Sequence, residues 1–340
     1  MRGMINGKWH TELDAVPVTS GDLANAFATP AARIGIDPER LARNPTSYRL
    51  YAALACPFAH RTLLARSLAG LEALPVQLMY PWLGGPDGWI LRKPPMVDVV
   101  SGRNTFDRRD FPDARFLWEV YRASDPAYTG RVSVPLLWDL EAHAIASAES
   151  REIVDAIVAT QALRRDKSTL LGSAGDPEHE TLADWIGDHI NVGVYRVGFS
   201  ATQAEYNEAH DALHNSLDTL EGRVRATGFL TGALPSVADL MLFATAVRFD
   251  VAYHGAFLLL DMLWRNLPML EAHRQRMLEL PGVADSVAYE DYRVHYFDDA
   301  AFNVRHAGPD GHFIVPRTFG ETIATGASHP IFQTEVRAAS

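Results

Sequence analysis

YRLYAALACPFAHRTLLARSLAGLEALPVQLMY, residues 48–80, contains two changes of hydrophobic period. Its opening, YRLYAAL, has the aromatic and apolar density of a buried strand. It ends at Cys56-Pro57, after which Leu64, Leu68 and Leu71 recur at helical spacing. PVQLMY then reads as a second strand. Strand, helix and strand in immediate succession predict a right-handed parallel crossover. Proline suits the first turn of a helix, where its missing N–H costs nothing, so Pro57 marks Cys56 as the cap position.

Upstream, residues 1–47 mix Gly, Pro, Ala and charged residues without sustained periodicity and read as an arm lying over the folded body. Downstream, residues 81–130 form a long insertion dense in Gly, Pro, Asp and Arg; an irregular stretch of that length inside a compact domain is usually functional. Its tail, Ala114 to Ala123, reads as a helix. SVPLLWD (133–139) and AHAIASA (142–148) read as two strands close enough to form a hairpin. ESREIVDAIVA (149–159) returns to helical spacing, with Ile153, Ile157 and Val158 on one side. Strand, helix, strand, strand, strand, helix is the thioredoxin-like order, a small mixed sheet covered by helices, and it occupies residues 48–165. Strand signals vanish after about residue 170, so residues 170–310 read as an all-helical domain and 311–340 as a polar tail. Within that domain Pro235-Ser236-Val237-Ala238-Asp239 has the Ser-x-x-Asp form of a capping box ahead of LMLFATAV, which predicts Ser236 as an N-cap.

Bulk properties narrow the function. The chain has 340 residues, 47% of them hydrophobic, enough for two domains sharing an interface. A formal charge of -11 without a dense Lys/Arg run excludes nucleic acid as a partner. The opening residues lack a signal-type apolar core, and no stretch approaches the length a membrane span needs, the nearest being the short FLLLDMLW (257–264), so the expectation is a soluble, cytoplasmic protein without membrane contact. A single cysteine rules out an internal disulfide, a CxxC redox pair and a cysteine-rich zinc site. HExxH, GxGxxG, P-loop and GxSxG patterns are absent too, and with them the usual support for a metal, dinucleotide, nucleotide or serine-hydrolase reading. Among 13 histidines the pair at metal-ligand spacing is His210 and His214, but Glu208, Asp211 and Asn207 around them favour a solvated helix face.

Three elements carry chemistry. A helix N-terminus favours a thiolate through its free N–H groups and positive dipole end, so a cysteine at the cap is a candidate nucleophile, with His60 and Arg61 as nearby sources of positive potential. The plainer reading of Cys56 is a buried structural thiol. Val134-Pro135 opens the third strand. In a thioredoxin-like sheet this bond is expected to be cis, turning the Val134 N–H and C=O outward to pair with an extended peptide; an ordinary edge-strand proline is the alternative. Glu149-Ser150 precedes the next helix. Ser150 and the helix amides suit a carboxylate and Glu149 an ammonium group, unless Ser150 merely caps its own helix. Together the three describe a slot for a peptide with an amino-acid head, an extended middle and a sulfur facing Cys56. Glutathione has that shape.

Five blocks in one order, LYAALACPFAHRTLLARSLAGLE (50–72), DPAYTGRVSVPLLWD (125–139), GVYRVGFSATQAEY (193–206), VRFDVAYHGAF (247–257) and PGVADSVAYEDYRVHYF (281–297), resemble the glutathionyl-hydroquinone reductases, also called Xi-class glutathione transferases. The resemblance spans most of the chain. It implies the glutathione transferase fold, an α/β thioredoxin-like N-terminal domain followed by an all-α domain, and a homodimer formed through the helical domain. By resemblance Cys56 is the nucleophile, Trp89 leans over glutathione, and Arg131, Val134, Pro135, Glu149 and Ser150 bind the tripeptide. Tyr195 and Tyr296 match tyrosines that contact the quinol; by residue type alone they read as core or interface aromatics. The implied activity is glutathione-dependent reduction of S-glutathionyl-hydroquinones through a Cys-glutathione mixed disulfide, with no metal. An omega-like thiol transferase or dehydroascorbate reductase using the same cysteine is the near alternative, and a non-catalytic protein holding an aromatic ligand is the distant one. Phe58 stands where the family usually has Trp, Ala148 where it has Asn and Arg151 where it has a small residue, and the stretch around Trp89, GPDGWILRKPPMVDVV (85–100), diverges. These departures lie beside the thiol and the head-group site, where thiol preference and quinol specificity are set.

Overall fold

The computed structural model describes residues 2–11, 33–83, 86–91, 114–164, 177–224, 228–297 and 314–317. The chain opens with a hairpin of β1 (Gly3–Ile5) and β2 (Lys8–His10), followed by a short helix α1 (Pro38–Arg43). Next come β3 (Tyr48–Ala52), α2 (Pro57–Leu68), β4 (Val76–Leu78), α3 (Leu117–Ser124), β5 (Leu136–Asp139), β6 (Ala144–Ser147) and α4 (Ser150–Arg164). The four long-range strands form one sheet in the order β4-β3-β5-β6. β3 is parallel to β4 and antiparallel to β5, and β5 is antiparallel to β6. All five residues of β3 are buried, as a central strand covered on both faces requires. This is the thioredoxin-like arrangement expected from the order of elements.

The N-terminal arm has more structure than its composition predicts. Asn6 and Gly7, with φ of 47° and 71°, make the two-residue turn that closes β1 onto β2. A side chain at Gly7 would overlap the Pro126 carbonyl, and Met4 bridges to Gly130, so the hairpin is pinned to the end of the insertion. Ile34 N donates to Ile145 O at 3.1 Å and Gly35 N to Ala146 O at 3.2 Å, covering the open edge of β6. Strands of three residues are too short to show an alternating pattern, which is why the sequence reading found none. Residues 12–32 and residues 92–113 of the insertion lie outside the described part.

The second half is helical: α5 (Pro177–Ile186), α6 (Gly193–Gly198), α7 (Gln203–Arg223), α8 (Val237–Arg248), the three-residue α9 (His254–Ala256), α10 (Pro268–Leu278) and α11 (Tyr289–Phe297). Single π-turns, Gly187–Asn191 and Phe249–Tyr253, link α5 to α6 and α8 to α9. Every residue of α8 is buried, and α2 packs directly against it. The predicted capping box is present: the Asp239 carboxylate accepts from Ser236 N at 2.7 Å and Ser236 Oγ at 2.6 Å. Its other oxygen accepts from Leu230 N at 2.9 Å and from His273 Nε2 at 2.7 Å.

One expectation for this half is corrected. His210 is buried and pairs with Asp261 at 2.7 Å, while only His214 keeps the solvated character read for both. The cause is α7's inner face, where Tyr206, Leu213 and Leu217 bury the row that includes His210. Within the tail, residues 314–317 are strapped to α7. Gln203 Oε1 accepts from Val315 N at 2.8 Å and its Nε2 donates to Val315 O at 3.1 Å. Among the described residues no helix is long and apolar enough to cross a membrane, and no group of three or more His, Cys, Asp or Glu is placed to hold a metal ion.

Candidate active site

Sheet topology brings the three chemical elements to one edge. Tyr51 in β3 is in register with Leu136 in β5, and Leu137 with Ser147 in β6. The chain therefore leaves β3 toward Cys56, enters β5 from Val134-Pro135 and leaves β6 toward Glu149-Ser150, all at the same end of the sheet. The Val134-Pro135 bond is cis, as expected. Cys56 is the N-cap of α2, with extended backbone (φ -77°, ψ 120°) and Pro57 in the first turn. Its Sγ donates to Val134 O at 3.6 Å, so the thiol faces the backbone edge on which an extended peptide would pair.

The electrostatics differ from the sequence expectation. The side chain keeps partial exposure but packs against the core, and burial pushes the Cys56 thiol above the ordinary cysteine value. The backbone N–H groups of Ala59 and Phe58 and the guanidinium groups of Arg248 and Arg61 pull it down without prevailing. His60 adds no charge. Its pKa is lowered well below that of a free imidazole by burial and then by Arg248, so the ring is neutral.

Arg248 is the residue the sequence reading missed. It is fully buried at the end of α8, yet reaches across to the loop before the cysteine, donating from Nε to Ala55 O at 2.9 Å and from Nη2 to Leu54 O at 2.5 Å. The visible signal is an arginine closing the otherwise apolar run LMLFATAVRF (240–249). A charged side chain is seldom fully buried unless its charge is compensated.

An aromatic group stands across from Cys56. Tyr195 OH is 2.6 Å from Tyr296 OH, and Tyr253 OH is 3.3 Å from Tyr296 OH. Tyr296 and Tyr253 are fully buried and Tyr195 half-buried, and burial raises the pKa of all three phenols, which hold their protons at neutral pH. Phe58 of α2 approaches Tyr195 at a centroid distance of 6.3 Å, joining the two halves of the molecule. Phe257 lies 5.1 Å from Tyr195, in a position that any side chain at Gly198 would block.

Trp89 is placed beside this group. Its indole is 7% exposed and stacks on His295 at 5.5 Å, and His295 in turn meets the Tyr296 ring edge-on at 4.8 Å. Arg131 and Glu149 are exposed at the sheet edge. Helix α4 begins at Ser150, which leaves Glu149 in the cap position, with Glu149 N donating to Ser147 Oγ at 3.0 Å. Arg151 is committed elsewhere, to Asp155 at 2.9 Å, Asp184 at 3.2 Å and Glu180. A cavity of about 350 Å3 between α5 and α7, lined by Trp185, Leu182 and Leu220 among others, shares no residue with this site.

Neutral buried histidines make stability pH-dependent. His295 donates from Nδ1 to Pro81 O at 2.8 Å, and burial brings its pKa down to about 4. An imidazole that ionises near 6.5 in the unfolded chain favours folding fully above that pH, and the contribution, about 3 kcal/mol, is lost as pH falls toward 4. His60 shifts in the same direction. The expected result is that urea midpoints fall more steeply between pH 6.5 and 4.5 for the native protein than for His295→Gln; equal slopes would remove His295 from the account.

A thioredoxin-like sheet with a cysteine-capped helix, docked on a bundle through α2 and α8, is the architecture of a glutathione transferase. Family models agree: residues 55–160 match the glutathione S-transferase N-terminal domain and residues 203–276 the C-terminal domain. The glutathionyl-hydroquinone reductase YqjG of Escherichia coli is 33% identical over 87% of this chain and 90% of its own. Its glutathione-bound structure superposes with a TM-score of 0.67 at 28% identity, covering 95% of this chain and 99% of that one. The glutathionyl-hydroquinone reductase PcpF of Sphingobium chlorophenolicum is 35% identical over 74% of this chain and 78% of its own. A Xi-class glutathione transferase from Natrialba magadii superposes with a TM-score of 0.76 at 29% identity, over 94% of this chain and 98% of that one. The chain belongs to the glutathionyl-hydroquinone reductases, the Xi class of glutathione transferases.

Proposed function

We propose that this protein reduces S-glutathionyl-hydroquinones with glutathione, using Cys56 as nucleophile. The observation that carries the reading is the position of one sulfur: Cys56 stands at the N-cap position of α2, and its Sγ lies 3.6 Å from the Val134 carbonyl and close enough to Tyr195 and Tyr253 to interact with their phenols electrostatically. The Val134 backbone supports pairing with the tripeptide, Glu149, Ser150 and Arg131 supply groups of the right charge for its ends, and Trp89 with Tyr195 makes an aromatic wall for the quinol ring, backed by the buried Tyr253 and Tyr296.

In the first step the Cys56 thiolate attacks the glutathione sulfur. A sulfur–sulfur bond forms, the carbon–sulfur bond to the ring breaks, and the ring carbon takes a proton from Tyr195, which Tyr296 supports through its hydrogen bond. A second glutathione returns a proton to the Tyr195 phenolate from its thiol and attacks the mixed disulfide as the thiolate, releasing oxidised glutathione and the Cys56 thiolate. The net reaction consumes one glutathionyl-hydroquinone and one glutathione and yields hydroquinone and glutathione disulfide. Because burial raises the thiol pKa, the rate is expected to climb with pH through the Cys56 ionisation rather than level off below neutrality.

The test is direct. Purified protein given a glutathionylated hydroquinone and glutathione releases free hydroquinone and glutathione disulfide in equal amounts. Fast reduction of dehydroascorbate without hydroquinone release would transfer the assignment to an omega-like thiol transferase. Tyr195→Phe is expected to lower kcat by about 100-fold or more and Tyr296→Phe by less, since the fully buried Tyr296 acts through its hydrogen bond to Tyr195. Unchanged kcat in Tyr195→Phe would move proton delivery to solvent.

The reading includes a glutathione-binding domain of residues 48–165 with an insertion at 81–130, a helical domain of 170–310, an arm of 1–47 and a tail of 311–340. It also includes a homodimer through the helical domain, as the family resemblance implies, and a cytoplasmic setting, where a lone thiol stays reduced.

A further inference from the structure

Arg248 has no carboxylate within ion-pair distance among the described residues, although it is fully buried. A guanidinium stays protonated even when buried, so its positive charge needs another form of compensation. The partners present are dipoles and a ring face. Besides Leu54 O and Ala55 O, its Nη1 donates to Ala244 O of its own helix and to His60 Nδ1 at 3.0 Å, and its guanidinium carbon lies 4.1 Å from the centroid of the Tyr292 ring. His60 is held to the accepting role at Nδ1 because its Nε2 is 2.7 Å from Ser286 Oγ, which itself donates to Val283 O at 2.6 Å. The hydroxyl proton is thus spent, so Nε2 carries the ring proton and Nδ1 presents a lone pair to Arg248.

This network joins three parts of the chain, α8, the segment before α11, and α2, at the two peptide carbonyls immediately before Cys56. The planar fork fixes the guanidinium relative to that loop, and hence to the sulfur, as a flexible ammonium would not. The charged and titratable groups around Cys56 are Arg61 on α2, Arg248 on α8, neutral His60, and the phenols of Tyr195 and Tyr253. Arg61 sits over the Phe58 ring at 4.7 Å and approaches Asn191 Oδ1 at 3.4 Å, with its own contacts in α2 and the π-turn after α5. None of these groups is a carboxylate.

We propose that Arg248 is a positioning residue for the reaction: the helical half of the molecule supplies a fixed cation that holds the Leu54-Ala55 turn and stabilises the Cys56 thiolate, its charge being balanced when the thiol ionises. The inference rests on Cys56 being the nucleophile of the proposed function and adds the source of its activation. It also gives the domain interface a part in catalysis, since moving α8 relative to α2 withdraws the cation from the thiol.

The readout is the pH dependence of Cys56 alkylation by iodoacetamide, followed by mass spectrometry on the full-length protein. It involves neither glutathione nor a quinol, so it separates failure of this inference from failure of the proposed function, which hydroquinone release by the native protein tests on its own. Arg248→Gln is expected to raise the apparent thiol pKa by about one unit, slowing alkylation at pH 7 about tenfold while the limiting rate at high pH is unchanged. Arg248→Lys keeps the charge without the fork: its thiol pKa is expected within about 0.3 units of the native value, with kcat for hydroquinone release lowered about tenfold. A folded Arg248→Gln protein with the native thiol pKa overturns the inference. Should that variant not fold, Arg248→Lys decides alone, and an upward pKa shift of a full unit or an unchanged kcat in it overturns the inference equally.

Discussion

Replacing Cys56 by serine is expected to lower hydroquinone release by roughly a thousandfold or more while leaving the affinity for S-methylglutathione within about twofold of native. A serine hydroxyl at this cap position does not ionise near neutral pH and forms no disulfide, so neither half of the reaction has a route. Binding is expected to survive because the proposed peptide-pairing edge is backbone, at Val134, and the exposed groups proposed for the ends of the slot, Arg131 and Glu149, are untouched. Two measurements check this. Chromatography of the released hydroquinone gives the rate, and intact mass after exposure to substrate shows one added glutathionyl group in the native protein and none in Cys56→Ser. Retention of more than about a tenth of the activity, or a glutathionyl adduct on the serine variant, removes the sulfur from the mechanism.

The largest expected loss of stability follows from Asp239→Ala. Asp239 is wholly buried and its two oxygens receive four hydrogen bonds, two from Ser236, one from Leu230 N and one from His273. Alanine leaves the two backbone N–H groups and the imidazole without their acceptor in the interior and uncaps α8 at the same time. The cost is about 3–5 kcal/mol, a large fraction of the net stability of an ordinary domain. Urea unfolding measures it, and a loss below about 1 kcal/mol would mean that the capping box is dispensable. Asp239→Asn, which keeps the shape and one acceptor oxygen, is expected to cost less. The effect bears on activity too, since α8 carries Arg248 at its far end and a frayed start loosens the helix that faces the Cys56 turn.

Much of this site was legible in the sequence because its determinants are local. Cys56-Pro57 states a cap and a first turn in two residues, Ser236-to-Asp239 states a capping box in four, and the alternation of strand and helix spacing from Tyr48 to Arg164 orders the sheet. Once that order is known, the topology alone places Cys56, Val134-Pro135 and Glu149-Ser150 at one end, since the direction of each strand follows from its connection. The hairpin at Asn6-Gly7 was legible in principle too, through its two-residue turn, but its strands are shorter than any periodic window.

What only the tertiary structure decided depends on contacts between residues far apart in the chain. No spacing rule links Arg248 to Ala55, His60 to Ser286, or Trp89 to His295, and composition cannot say whether a histidine near a helix start is charged. His60 looks like a positive neighbour of the thiol in sequence and is neutral in the fold, because desolvation and Arg248 both act against its proton. The thiol itself follows the same logic: the helix start pulls its pKa down, as local sequence says, but the packing that brings α8 and the tyrosines over it removes water and pushes it up further. Local sequence sets which groups stand where along each element, whereas charge state is a property of the surrounding volume, and that volume exists only after the two halves have closed on each other.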